Sequence, residues 1–481
     1  MQPYWESHAD NTSSVLKGGS KDIHRDLYNQ LKARPKNYFW DFRFTAGMWD
    51  GWERYFSLSD NRIATGLIPF ARELGFNFEE VILAEDPLED FRESLSLKLP
   101  DDPSQILTPN SYQNESVLAV QGGIRRGIFD HVTAAGKSVT MALLIQLLQG
   151  LQTVVTVPTI DLLQQLSDDL AKMLDEPIGI LGGGKKSIDG QRIVVAYDGF
   201  LKTYIKSPFV TDLAKNCQVL ISDELQTITK KLYPFFKKCT KAYYRFGFSG
   251  SFFDNDPARI FATAGYFGNV ITQVTDVETM AEGRTVPPIF NFYGFPTLVA
   301  PGMDYQVAYK DRIVDNEAFN KFFAQLLSPY YEQEKTILVL VKRVAHCASF
   351  AKALAEFHME SEPFHGSINT EVRRARRAQF KNGKIPVLIA TEQTLGVGSN
   401  FPRIEVLMNL GCGLSDDKTK QKYGRSFRSF DEGKSQVDII EPYPTGCKWF
   451  VKHAKARMAM AKTYATGSVF FTPFMGTAVK M

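Results

Sequence analysis

Thr133-Ala134-Ala135-Gly136-Lys137-Ser138 and, further along, Val219-Leu220-Ile221-Ser222-Asp223-Glu224 are the two stretches on which the reading of this chain turns. In the first, a glycine-containing turn opening a helix aims backbone N–H groups at phosphate, with Lys137 reaching the terminal phosphates and Ser138 offering a hydroxyl to Mg²⁺. In the second, an apolar strand delivers two carboxylates at its carboxyl end. One of the two can hold Mg²⁺ through water and the other can position an attacking water. Either stretch alone is commonplace; their order and strand contexts together predict a site for a nucleoside triphosphate. The first departs from the full phosphate-loop pattern, because the first glycine position holds His131. We expect that residue to be a loop side chain turned from the phosphates.

Around these stretches, residues 104 to about 275 alternate β-rich runs with amphipathic segments. Thr153 to Val157 reads as a strand, Ile160 to Leu174 as a helix, Arg192 to Ala196 and Gln218 to Ser222 as further strands. Such alternation predicts a parallel sheet with helices on both faces and active residues at strand ends. The pattern restarts near residue 334 with Thr336 to Val341, a helix from about Val344 to Phe357, Val387 to Ala390, and Val437 to Ile440. The fold class expected is therefore α/β, with two tandem parallel-sheet domains at 101–280 and 334–481. Residues 281–333, rich in proline, read as a connector. Residues 1–100 form a small α+β amino-terminal domain of different texture, with nine aromatic residues from Tyr38 to Phe56. Aromatics at that density suit base stacking or the core of a small domain, and the core is the expectation.

Bulk properties narrow the class. At 481 residues the chain exceeds one ordinary core. It has no apolar run long enough to span a bilayer and no leader-like amino terminus, so an intracellular, cytoplasmic protein with no membrane partner is expected. The five cysteines lie far apart without a C-x-x-C pair, which argues against a zinc ribbon, an iron–sulfur cluster or a disulfide framework. A net charge of +3 implies no nucleic acid by itself. Two local basic stretches could meet phosphate: Lys230, Lys231, Lys237, Lys238, Lys241 and Arg245, and the last helix with Lys448, Lys452, Lys455, Arg457 and Lys462. Solvated helix faces are the expectation for both.

Near the end of the second α/β region stands Gln421-Lys422-Tyr423-Gly424-Arg425-Ser426-Phe427-Arg428. Arg425 and Arg428 share a helix face and can point at one anion. With this element in place, residues 104 to about 440 resemble the superfamily 2 helicases, whose two motor domains are RecA-like. The resemblance implies ATP and Mg²⁺ as cofactors. It makes Tyr112 and Gln113 the adenine contacts, Thr133 to Ser138 the phosphate loop, and Ser138 with Asp223 the metal residues. Lys137, Asp223, Glu224, Gln226, Arg425 and Arg428 take the catalytic roles, and Gly398 joins Arg425 and Arg428 at the nucleotide. Pro158, Thr159, Gly183 and Tyr197 in the first domain, and Lys342, Arg343, His365, Gly366 and Thr391 in the second, occupy the places of strand-contacting motifs. Gly247 to Ser251 resembles the motif that links hydrolysis to movement.

Arg43-Phe44-Thr45-Ala46-Gly47-Met48-Trp49-Asp50-Gly51 and Gly66-Leu67-Ile68-Pro69 are similar to the amino-terminal domain of the bacteriophage UvsW-type recombination helicases. That resemblance implies a phage protein acting on branched and single-stranded DNA, with Trp49 among its DNA contacts. Oligomeric state stays open, a monomer included. The motor motifs alone leave RNA open as a substrate. A clamp that binds ATP at a DNA junction without hydrolysis is a further alternative, against which the intact catalytic set speaks. Gln226 stands where many relatives have histidine; it keeps hydrogen-bonding capacity without a titratable ring.

Overall fold

The structure is a computed structural model that describes residues 2–8, 10–100, 102, 104–132, 134–250, 256–300, 302–394, 404–413, 423–424, 426–427, 434–464, 468–474 and 479–480. The chain divides into two compact units, residues 1–132 with 136–274, and residues 275–481 with 133–135.

The sheet of the first unit runs in the order Lys185–Ser187, Ile178–Gly182, Ile193–Tyr197, Thr153–Val157, Val219–Ser222, Tyr244–Ser249, Arg126–His131 and Val270–Val274. All neighbours are parallel except the first pair. The central strands are apolar on both faces because helices cover both faces. The parallel arrangement brings the residues after each strand to one edge of the sheet. The helix Ile160–Leu174 spans the residues expected, with Thr159 as its cap accepting from the Leu162 N–H at 3.2 Å.

A second, five-stranded sheet in the same unit is built from the amino-terminal hundred residues. Its order is Phe56–Ser57, Arg62–Ala64, Ser13–Lys17, Tyr4–Ser7 and Glu79–Ile82, accompanied by the helices Lys21–Gln30 and Ile68–Glu73. This small α+β domain shares one hydrophobic core with the eight-stranded sheet: Trp5, Leu27, Phe56 and Leu67 belong to the same buried cluster as Phe236, Ala264 and Phe267. Contact is closest at Gly66, where an added Cβ would lie 2.1 Å from the Ala264 carbonyl oxygen, so only glycine lets the two backbones meet. Asn11 fastens the other side. Its amide donates to the carbonyls of Ala242 at 2.6 Å and Tyr243 at 3.1 Å while its oxygen accepts from Arg125 at 2.8 Å.

The sheet of the second unit runs Glu362–Phe364, Val387–Thr391, Ile337–Val341, Val406–Asn409, Val437–Thr445, Pro288–Pro296, Ser468–Thr472 and Val479–Lys480, parallel but for the last pair. Strand alternation divides its core by face. Ile337, Val339, Val341, Val387 and Ile389 enter one buried cluster, and Leu338, Leu340, Leu388 and Ala390 the other. Pro288–Pro296 is a central strand here rather than part of a connector. Its prolines sit at its ends, where a missing N–H is tolerated, and Phe290 and Phe292 are buried between.

Both basic stretches turn out partly internal. Arg245 is buried and donates to the carbonyls of Ala242 at 3.0 Å, Phe236 at 3.2 Å and Cys239, satisfying carbonyls left free at the end of the helix Tyr233–Lys238. Arg457, on the helix Lys448–Ala461, is buried and paired with the buried Glu441 at 2.7 Å. Lys448, Lys452, Lys455 and Lys462 remain on the exposed face. All five cysteines are buried free thiols. Among the described residues no helix is long and apolar enough to cross a membrane.

Candidate nucleotide and nucleic-acid site

The strand Arg126–His131 leads into the phosphate turn, and the helix Lys137–Leu147 leaves it. Ala134 and Gly136 both take left-handed backbone, at φ of 79° and 75°. Gly136 caps the helix, a position where a side chain would also meet the Gln113 amide nitrogen at 2.7 Å. The first turn of this helix therefore presents N–H groups at the sheet edge, the arrangement that receives phosphate. Lys137 extends across it, its Nζ 3.4 Å from the His131 carbonyl oxygen and 3.9 Å from Glu224 Oε1.

Asp223 and Glu224 follow the strand Val219–Ser222 at the same edge. The Asp223 N–H donates to the Thr156 carbonyl at 3.0 Å, and Asp223 Oδ1 accepts from the Glu224 N–H at 2.8 Å. Burial, then the neighbouring Glu224 carboxylate, push the Asp223 carboxyl well above its ordinary range, against the pull of Lys137. Two largely buried carboxylates opposed by one ammonium leave a shortage of positive charge that a divalent cation would complete. Ser138 lies in the first turn of the helix Lys137–Leu147 and Asp223 follows the strand Val219–Ser222; both offer oxygen atoms of the kind that suits a hard divalent cation such as Mg²⁺. Among the described residues no cluster of three or more His, Cys, Asp or Glu side chains suits a metal.

Gln226 is built into this centre. Its amide donates to Glu224 Oε2 and its oxygen accepts from Ser249 Oγ at 2.7 Å, so one side chain joins Glu224 to the strand Tyr244–Ser249. A neutral amide makes both bonds at once without depending on protonation.

His131 differs from expectation. It ends a strand instead of lying in a loop, and its ring is buried against Tyr112, Phe129 and Phe248 with Nε2 2.9 Å from Thr272 Oγ1. Burial pushes its pKa down to about 3, which keeps the ring neutral. Tyr112 and Gln113 lie in the first turn of the helix Ser111–Gln121, both buried. The Tyr112 hydroxyl accepts from Asn110 Nδ2 at 2.7 Å, and Gln113 accepts from the Asn110 N–H at 2.9 Å.

Pro158 and Thr159, Gly183 and Tyr197 follow or close the strands Thr153–Val157, Ile178–Gly182 and Ile193–Tyr197, on the same edge as Lys137 and Asp223. Sequence reasoning gave no role to Asp198 beyond its motif, yet its carboxyl is buried, pushed up to about 7 chiefly by burial, and influenced by Asp223. In the second unit Lys342 and Arg343 follow Ile337–Val341, His365 and Gly366 follow Glu362–Phe364, and Thr391 ends Val387–Thr391. Arg343 donates to Gln306 Oε1 at 2.6 Å, and Thr391 Oγ1 lies 2.6 Å from Thr394 Oγ1. Thr133, Gly398, Arg425 and Arg428 lie outside the described residues.

Trp49 is half-buried. Its indole N–H donates to the Trp52 carbonyl at 2.8 Å, and the Arg43 guanidinium covers its ring at 4.8 Å. The aromatic segment around it is not the core of the small domain as expected, since the helical turns Tyr38–Trp40 and Phe42–Thr45 bury none of their residues. Of the nine aromatics only Phe56 is buried, and it fills that core together with Trp5 and Leu27 from outside the segment.

Comparison with known proteins agrees with this geometry. The model described as "Type III restriction enzyme, res subunit" matches residues 106–254, and the helicase conserved C-terminal domain matches residues 319–429. The pre-mRNA-splicing ATP-dependent RNA helicase PRP28 of Pyricularia oryzae is 24% identical over 38% of this chain, and the DNA 3'-5' translocase XPB2 of Sulfurisphaera tokodaii 33% over 29%. These alignments span only 28% and 30% of the two relatives. Among solved structures, yeast (S. cerevisiae) Dbp5 bound to RNA and ADP BeF3 is similar over 76% of this chain and 90% of its own, at 14% identity and a TM-score of 0.55. The structure of T4 UvsW is similar over 98% of this chain and 100% of its own, at 19% identity and a TM-score of 0.48. With tandem parallel sheets, a phosphate turn facing an Asp-Glu pair, and two helicase models matched in order, the chain belongs to the superfamily 2 helicases.

Proposed function

We propose that this chain is an ATP-dependent DNA helicase and translocase that remodels forks, four-way junctions and displacement loops by branch migration and unwinding. Its setting would be phage recombination, repair and replication in the cytoplasm of the host. The observation that carries the reading is the buried group Lys137, Asp223 and Glu224 at the sheet edge that also carries Pro158, Thr159, Gly183 and Tyr197. A nucleotide-responsive centre and a row of strand contacts on one edge are what a motor needs to turn hydrolysis into movement.

In this reading Lys137 and the N–H groups of the helix Lys137–Leu147 bind the triphosphate, Tyr112 and Gln113 contact adenine, and Ser138 with Asp223 hold Mg²⁺. When bound, that ion neutralises phosphate charge. Glu224, oriented by Gln226, positions the attacking water, Arg425 and Arg428 stabilise the developing charge, and Gly398 contacts the nucleotide. Lys342, Arg343, His365, Gly366 and Thr391 hold the strand on the second unit, mostly through phosphate and so with little sequence preference. DNA is favoured by the likeness of Arg43 to Gly51 and Gly66 to Pro69 to phage recombination helicases. RNA is a second reading, supported by the similarity to PRP28.

The test is ATP hydrolysis by the wild type and Lys137→Ala with no nucleic acid, single-stranded DNA, a four-way DNA junction or RNA. Junction DNA should stimulate the wild type strongly, and the variant should lose about a hundredfold or more of that rate. Stimulation by RNA alone would move the assignment to RNA remodelling, and no hydrolysis under any condition would overturn the motor.

A further inference from the structure

Phe39 is 46% exposed, Trp40 79%, Phe42 76% and Met48 72%, all within ten residues of the amino-terminal domain. Isolated apolar side chains on a surface need no explanation, but four large ones on one short segment do. The segment is also firmly built. Tyr38 packs edge-on against Phe44 at 4.8 Å, and Asp41 accepts from the Arg43 N–H at 2.9 Å while pairing with its guanidinium at 2.8 Å. Rings held outward by a fixed scaffold lose little freedom on binding, which favours their use as contact surface.

Charge narrows what they contact. Lys32 lies 4.7 Å and Arg34 4.5 Å from the Trp52 ring, Arg34 also covers Tyr38 at 4.7 Å, and Lys36 is exposed beside them. The acidic neighbours Asp41 and Asp50 are engaged by Arg43 and Arg54. The cation-covered Tyr38 meets Phe39 edge-on at 5.8 Å and Phe39 meets Trp40 at 5.3 Å, so exposed rings continue from cation-covered ones beside paired carboxylates, which matches a polyanion that also offers flat apolar faces: a nucleic acid with unpaired bases.

The chain just after the segment is anchored to the first unit's eight-stranded sheet. Tyr55 donates to the Ala258 carbonyl at 2.7 Å and stacks on Phe261 at 5.3 Å, Lys230 pairs with Glu53 at 2.6 Å, and the core is continuous with the first motor sheet. We propose that Trp40 and Phe42, edged by Phe39 and Met48, form a stacking platform for unpaired DNA bases at a branch point, carried rigidly by the first motor unit. The platform advances with that unit and keeps separated bases from re-pairing. This inference rests on the branched-DNA reading above.

The test uses the full chain with Trp40→Ala/Phe42→Ala and the aromatic control Trp40→Phe/Phe42→Tyr, all surface changes outside the motor centre. Readouts are 2-aminopurine fluorescence at the branch base without ATP, unwinding of forked DNA, and ATP hydrolysis with single-stranded DNA. Wild type and control should quench the probe. The alanine variant should lose the quenching and about tenfold or more in unwinding, with hydrolysis within about twofold of wild type. Unchanged quenching and unwinding in the alanine variant would overturn the platform, while stimulation of the wild type by DNA would keep the motor reading standing. Conversely, absence of DNA stimulation in the wild type would sink the motor reading, while quenching by wild type and not by the alanine variant would still register stacking. Quenching by unpaired RNA and not DNA would overturn the choice of DNA. Equal loss of hydrolysis and unwinding would also overturn the inference, since it would make these residues part of general strand binding.

Discussion

The group Lys137, Asp223 and Glu224 beside the phosphate turn and the aromatic segment, both in the first unit, depart from ordinary burial in opposite senses. At the turn, charged groups are inside: Lys137, Asp223 and Glu224 are largely withdrawn from water and linked to one another and to Gln226. At the segment, apolar groups are outside, with Trp40 and Phe42 more than three-quarters exposed. Buried charge strengthens electrostatics where phosphate charge must be met, and exposed rings await a partner with flat faces. Each arrangement costs stability when empty, and that shared cost distinguishes sites from scaffold.

The comparison depends on the two regions moving as one body, so the largest effect is expected where they are joined. Gly66→Val would drive a side chain into the Ala264 carbonyl and should destabilise the first unit by about 1–3 kcal/mol, read as a lower urea midpoint. Loss of unwinding beyond loss of hydrolysis in the surviving fold would sharpen the link; a wild-type midpoint would break it.

His131 tests the wall of the nucleotide site. Its pKa is about 3 in the fold and about 6.5 in an unfolded chain, so the unfolded state binds more protons between those values. Its contribution is present above pH 6.5 and is lost as pH falls towards 3, with a slope of up to about 1.4 kcal/mol per pH unit. His131→Asn should flatten the acid limb of urea stability measured between pH 6.5 and 5. An unchanged slope would place the titration elsewhere, His346 being another buried imidazole with its pKa pushed down to about 3.

The smallest effect is expected at Gln226. Because the amide already bridges Glu224 and Ser249, Gln226→His should change ATP turnover by less than about tenfold. A gain of a hundredfold would show that the natural site is impaired.

Much of the motor was legible in the chain. Thr153–Val157, Ile160–Leu174 and Val387–Thr391 announce themselves through period and β-branched content, and strand ends locate Lys137, Asp223, Lys342 and Thr391. Pro288–Pro296 was not legible, because its prolines imitate a linker and only pairing with Val437–Thr445 and Ser468–Thr472 makes it a strand. Nor was the role of Arg245 and Arg457, whose charge reads as solvated until the carbonyls and the carboxylate that receive them are brought close.

The sequence by itself therefore determined the order of the chemical groups and the sheets that carry them, since strand period and helix capping act over a few residues. Tertiary structure decided which groups are withdrawn from water. Whether Trp40 faces solvent, His131 stays neutral or Gly66 admits a neighbouring helix depends on surfaces supplied by residues far away in the chain, and no local pattern encodes them.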